Sequence, residues 1–190
     1  AYGLVGFFTV LMSWMALLDL GLSTTLARET AKLKDKLNGL LELKKMTLSI
    51  ELFFVIISVF IFSAMFFGSS WISTHWLSVK ELSYETVEST IKIMAFMIIL
   101  RWFVGLYQGK IIGFEHHIWL NIYKMVFSTL KFIGAFLLIV YVSNDIVHFF
   151  YFFLIVAIFE FIVIKFKVDS YMKVSQKVSP SFITLKLIAP

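Results

Sequence analysis

Arg101 lies inside a hydrophobic stretch, from about Ile91 to Ile112, that is otherwise long enough to cross a bilayer. A guanidinium in hydrocarbon is costly, so such a residue normally faces a water-filled cavity or a polar partner. Gln108 follows seven residues later and falls nearly in line with Arg101 at helical periodicity. On the next apolar stretch Asn121, Lys124, Ser128 and Lys131 step by three, four and three, forming one polar stripe that ends against Gly134 and Ala135. A lysine or arginine at the bilayer centre costs about 2.5–3.5 kcal/mol on insertion scales, more than a purely structural bundle needs to spend twice. The chemistry on offer is a positively charged interior, the profile of a transporter more than of an enzyme. Lys124 also fits a cation snorkelling to the interface. Lys131 also fits internal pairing with Glu51, Asp19 or Glu160. Asp19 has Ser23 and Ala16 near it on its helix, while Glu51 and Glu160 read as charges toward the cytoplasmic ends of their spans.

Gly105, Gly109 and Gly113 follow Arg101 at four-residue steps. Small residues at that spacing let helices approach closely, so the cation and a packing surface are expected to share one side of the helix. By itself the glycine series requires nothing beyond helix packing.

The elements that must position these groups are membrane spans. Hydrophobic residues make up 60% of the chain and charged residues 15%, with a mean hydropathy of +0.91. A soluble domain is nearer half apolar and a quarter charged. The apolar residues are grouped into runs of about 20, the length that spans roughly 30 Å of hydrocarbon. Five spans are expected, over about 4–26, 46–67, 91–112, 122–142 and 146–164. Arg28, Lys32, Lys34, Lys36, Lys44 and Lys45 lie between spans one and two; Lys110 and Lys124 flank the link between three and four. Lys165, Lys167, Lys173, Lys177 and Lys186 follow span five. The alternate connections hold Lys80 against Glu81, Glu85 and Glu88, or no cation at all. The positive-inside rule therefore places residues 28–45, 110–124 and 165–190 in the cytoplasm and residue 1 outside. Trp71 and Trp76 suit an outer aromatic belt and Trp119 an inner one. The leucines among the lysines of 32–45 suggest an amphipathic helix on the inner surface. An outside start at Ala1 and a tail from Pro180 to Pro190 without a closing element suggest a piece of a larger protein, with one further span upstream.

Other chemistries find little footing. With no cysteine there are no disulfides and no thiolate metal sites. Adjacent His116 and His117 fall on different helix faces, and no carboxylate–histidine ligand set surrounds them, so no metal is expected. The sequence holds no phosphate-cradling glycine loop, nucleophile elbow or zinc signature, and neither a catalytic residue nor a cofactor is assigned. The many Phe and Met residues read as lipid-facing or core filling. A net charge of +5 invites a nucleic-acid reading, but the basic residues sit between spans, where topology accounts for them.

The run from Tyr2 to Thr30 resembles the second-helix region of bacterial O-antigen and polysaccharide flippases. These belong to the multidrug/oligosaccharidyl-lipid/polysaccharide exporter superfamily. Tyr2-Gly3-Leu4, Leu18-Asp19-Leu20-Gly21-Leu22-Ser23 and Arg28-Glu29 carry the likeness. A second match comprises Leu100-Arg101, Leu106-Tyr107, Gly109, Gly113, Glu115 and Leu120-Asn121, with His117 where family members often have Gln or a basic residue. The resemblance implies an all-α polytopic bundle forming half of a two-lobed fold around a central cavity. Residues 1–168 would supply about five helices of the six-helix first lobe, and 169–190 the cytoplasmic link to a second. It implies translocation of a polyprenyl-pyrophosphate-linked oligosaccharide across the bacterial inner membrane, in the company of membrane lipids and other polysaccharide-assembly proteins. Arg101, Lys131, Gln108 and Lys124 would line the cavity, where arginine offers planar bidentate donors suited to phosphate and lysine a point charge. Asp19, Gly21, Arg28, Gly105, Gly109 and Gly113 would serve packing or gating. A multidrug exporter of the same fold, or a membrane glycan polymerase or ligase, are the rival expectations. Acidic cavity residues would favour the first and a large outer loop the second.

Overall fold

In hydrocarbon a segment must satisfy its own backbone hydrogen bonds, and a helix does so within a single stretch of chain. Neither proline precedes residue 180, so nothing of that kind interrupts the apolar runs. The computed structural model describes residues 2–18, 21–75, 83–143 and 145–172, which form six helices and no strand. These are α1 (Tyr2–Leu18), α2 (Leu22–Leu33), α3 (Gly39–His75), α4 (Tyr84–Gly113), α5 (His117–Tyr141) and α6 (Ile146–Tyr171). Ser83 caps α4 by accepting from the Thr86 amide, and Asp145 caps α6 by accepting from the Val147 amide. Four helices, α3 to α6, are long and apolar enough to cross a membrane.

The first expected span, over 4–26, is divided. The described part of α1 has 17 residues and reaches about 26 Å at 1.5 Å per residue, short of a bilayer core. Gly21 precedes α2 in the left-handed region, with φ 75° and ψ 14°. A Cβ there costs about 1–2 kcal/mol. Gly21→Ala should therefore lower the thermal midpoint of the detergent-purified protein, and an unchanged midpoint would show the turn to be dispensable. Asp19 and Leu20 lie outside the described residues.

The amphipathic helix expected over 32–45 is likewise two pieces. α2 ends at Leu33, Asn38 takes φ 63° in the turn, and α3 starts at Gly39, where a Cβ would collide with the Leu33 carbonyl. Leu33 and Leu43 are buried in the protein and Leu37 is 95% exposed, so these leucines form no common membrane-facing stripe. α3 then continues past the expected end at 67 to His75, and α4 starts at Tyr84, which shortens the expected 69–90 connection. Trp71 is helical and exposed; Trp76, Lys80 and Glu81 lie outside the described residues. α6 carries Lys165, Lys167 and Asp169 in helix beyond Ile164, while 173–190 lies outside the description.

α4 is the central element. Buried residues make up 61% of its apolar window, against 22%, 17% and 22% in α3, α5 and α6, and it contacts all five other helices. One core joins Leu26, Leu43, Phe54, Leu106, Ile111 and Ile164, with Phe54 stacked on Trp102 at 4.1 Å. A second joins Leu4, Met65, Ile91, Met94, Met97 and Phe150 toward the opposite end of α4. The outer surface is also apolar: Phe60, Phe67, Ile118 and Phe132 are each at least 75% exposed. A surface this apolar suits a lipid environment.

Candidate functional site

The helical period places Arg101, Gly105 and Gln108 on one side of α4, and that side opens into a cavity of about 270 Å³. Lys131 of α5 and Glu160 of α6 close it from across, with Met12 of α1 and Val104 as its apolar lining. Lys131 donates to Glu160 Oε2 at 2.5 Å, and their side chains are 14% and 12% exposed. The Glu160 backbone is held from α5 as well, since the Tyr123 hydroxyl donates to its carbonyl at 2.8 Å. Arg101 Nε is buried without a hydrogen-bond partner among the described residues. With Glu160 satisfying Lys131, the described lining side chains leave one positive charge uncompensated, that of Arg101, whose Nε donor is unused. An unsatisfied buried donor costs about 1–3 kcal/mol, more when charged, so the arrangement is suited to an anionic guest.

Arg101, Gln108 and Lys131 thus converge, and of the three carboxylates open to Lys131 the partner is Glu160. Lys124 does not join them. It is exposed on α5, as are Asn121 and Ser128, so the polar stripe splits between the cavity and the outer surface of α5. Arg28 is 68% exposed in its side chain and lies 3.4 Å from Glu29. Asp19 lies outside the described residues.

The glycines divide between two tasks. A Cβ on Gly109 would strike the Ser23 carbonyl, and one on Gly113 the Ala27 carbonyl and the Thr30 side chain, so these two seat α4 on α2. Gly105 departs from the packing expected of it. Nothing lies within 4 Å of a Cβ there, because the residue borders the cavity.

Lys110 corrects the sequence reading most sharply. Expected in a cytoplasmic connection, it is fully buried in α4, 3.7 Å from Glu51 of α3. The Tyr107 hydroxyl donates to Glu51 at 2.9 Å and accepts from Lys165 of α6 at 3.1 Å, while Lys165 lies 3.7 Å from Asp169. Glu51 is therefore the hub of a polar clasp across α3, α4 and α6, not a solvated helix-end charge. The expected span already runs to Ile112, past Lys110; the available signal for its burial is that Gly109 and Gly113, on either side of it, both pack against α2.

Outside the spans, Lys34 pairs with Glu115 at 2.9 Å and Lys32 with Glu29 at 2.8 Å. Hydrogen bonds from these lysines hold both carboxyls below the ordinary carboxylate range. The stability they add is present above the unfolded-state value and is lost as pH falls through the lowered ones. Both pairs are surface pairs and small contributors. His116 stacks on Tyr171 at 4.5 Å.

The chain matches no protein-family model, no curated protein and no solved structure.

Proposed function

We propose that the chain is the first lobe of a membrane flippase carrying a polyprenyl-pyrophosphate-linked oligosaccharide across the bacterial inner membrane by alternating access. The observation that carries this reading is the cavity itself: Arg101 with an unpartnered buried Nε, beside Gln108, Lys131 and Glu160. Its volume is near the lower limit of small-ligand pockets, about 300 Å³, and suits a phosphate-bearing headgroup rather than a whole glycan. Lys124 and Asn121 are exposed in the first two turns of α5, where a lysine can reach the cytoplasmic interface. The distribution of basic residues supports cytoplasmic ends for α2, the start of α3, the α4–α5 turn and the end of α6.

Glu160 bears on the rival multidrug exporter. A cavity for cationic drugs wants an unpaired carboxylate, whereas Glu160 is neutralised by Lys131 and Arg101 adds a further positive charge. Ethidium efflux by the intact protein would favour that rival, and incorporation of labelled sugar by the purified protein would favour a glycan polymerase or ligase.

In cells making the intact protein, Arg101→Gln should abolish surface glycan at an unchanged protein level. Charge-assisted hydrogen bonds contribute about 1.5–3 kcal/mol each, a loss of roughly ten- to a hundredfold in affinity for an anion. Normal glycan display by this variant would contradict the cavity's role.

A further inference from the structure

Lys131 and Glu160 are already hydrogen-bonded to one another inside the cavity. A guest anion that uses Lys131 must therefore take it from a resident carboxylate. Arg101 needs no such exchange, because its Nε is unpartnered. The groups facing Glu160 can be named from each element packed on α6. From α4 come Arg101 and the neutral Gln108; from α5 come Lys131 and the Tyr123 hydroxyl, which is bound to the Glu160 carbonyl. α1 contributes Met12 to the cavity and no charge. Glu160 is thus the single negative charge among the described lining residues, set against two cations.

We infer that Glu160 is the resident counter-ion of the cavity, competing with a phosphate-class anion for Lys131, so that the anion enters together with a proton on Glu160. This inference rests on the reading of the cavity as an anion site and adds the residue that sets its selectivity and its pH dependence. The exchange balances without further reagents. The anion accepts the Lys131 hydrogen bonds, and the displaced carboxylate takes one proton from water and becomes neutral. Without that proton, a carboxylate and a phosphate would face each other in a poorly solvated space, where like charges repel strongly. Singly charged anions would gain too little from Arg101 and Lys131 to displace Glu160, so the site favours dianions and diphosphates over chloride or acetate.

The test is binding of inorganic pyrophosphate to the detergent-purified intact protein, as wild type and as Glu160→Gln, Lys131→Gln and Arg101→Gln, at pH 6 and pH 8. The probe's own titration is common to every variant and cancels in the ratio between them. Glu160→Gln should bind at least tenfold more tightly than wild type at pH 8, with the difference shrinking toward pH 6. Lys131→Gln and Arg101→Gln should both bind more weakly than wild type. Equal affinities of wild type and Glu160→Gln at both pH values, with Arg101→Gln still weakened, would overturn the counter-ion role and leave the anion site standing. Binding that is absent from wild type and Glu160→Gln alike, or indifferent to Arg101→Gln, would overturn the anion site itself. Should Glu160→Gln not fold, proton uptake by wild type on adding inorganic sulfate, which stays a dianion throughout, decides the matter. Uptake approaching one proton per sulfate supports the exchange, and uptake near zero overturns it.

Discussion

Glu51→Ala should be among the most damaging single substitutions outside the cavity. Lys110 is fully buried and Glu51 is its ion-pair partner at 3.7 Å, while the Tyr107 hydroxyl donates a hydrogen bond to Glu51 at 2.9 Å. Removing the carboxylate leaves a buried ammonium uncompensated and a tyrosine donor without its acceptor. Breaking such a pair from one side costs about 3–5 kcal/mol, whereas neutralising both partners with groups of similar volume is often close to neutral. The double variant Glu51→Gln with Lys110→Met keeps an acceptor for Tyr107 and removes the stranded charge. It should recover most of the lost stability in a denaturant titration of the detergent-solubilised protein. If Glu51→Ala unfolds at the wild-type midpoint, the clasp across α3, α4 and α6 has no structural weight.

Gly113→Val is the second large effect. The new side chain would drive into the Ala27 carbonyl and Thr30 of α2, and backbone cannot yield as a flexible side-chain end can. Overpacking a close contact costs about 1–3 kcal/mol and sometimes more, and here two helices would have to separate. Since α2 is held largely through α4, its docking should fail. Gly105→Ala is the internal control, because a Cβ there meets nothing within 4 Å. The comparison to make is the yield of monodisperse protein after extraction, low for Gly113→Val and near wild type for Gly105→Ala. Equal yields would mean that the α2–α4 contact is not close in the membrane.

Much of the architecture was legible because hydrocarbon leaves a chain few options. Apolar runs of about 20 residues mark spans, and α3 to α6 lie where four of those runs are. The convergence of Arg101 with Gln108 was legible from helical spacing, whereas the stripe on α5 put Lys131 and Lys124 together and only Lys131 faces the cavity. What local pattern does not show is where Lys110 points, since a lysine near the end of an apolar run is expected at the cytoplasmic interface. Lys110 stays inside because Tyr107, one turn back on the same helix, and Glu51 meet it there, and Glu51 lies 59 residues away on α3, beyond any local pattern. Glu160 was undervalued for the same reason. α6 runs on to Tyr171, which moves a presumed terminal charge to mid-helix. The break near Gly21 was hidden because Leu-Asp-Leu-Gly reads as a continuing apolar run, although only glycine takes its backbone angle without strain.

If the proposed function holds, this cavity receives the phosphate end of a lipid-linked glycan. Native mass spectrometry of the intact protein with polyprenyl pyrophosphate, wild type against Arg101→Gln, tests it most directly. Wild type should retain the lipid, and Arg101→Gln should retain at least tenfold less of it. Equal retention by the two proteins, or none by the wild type, would contradict it.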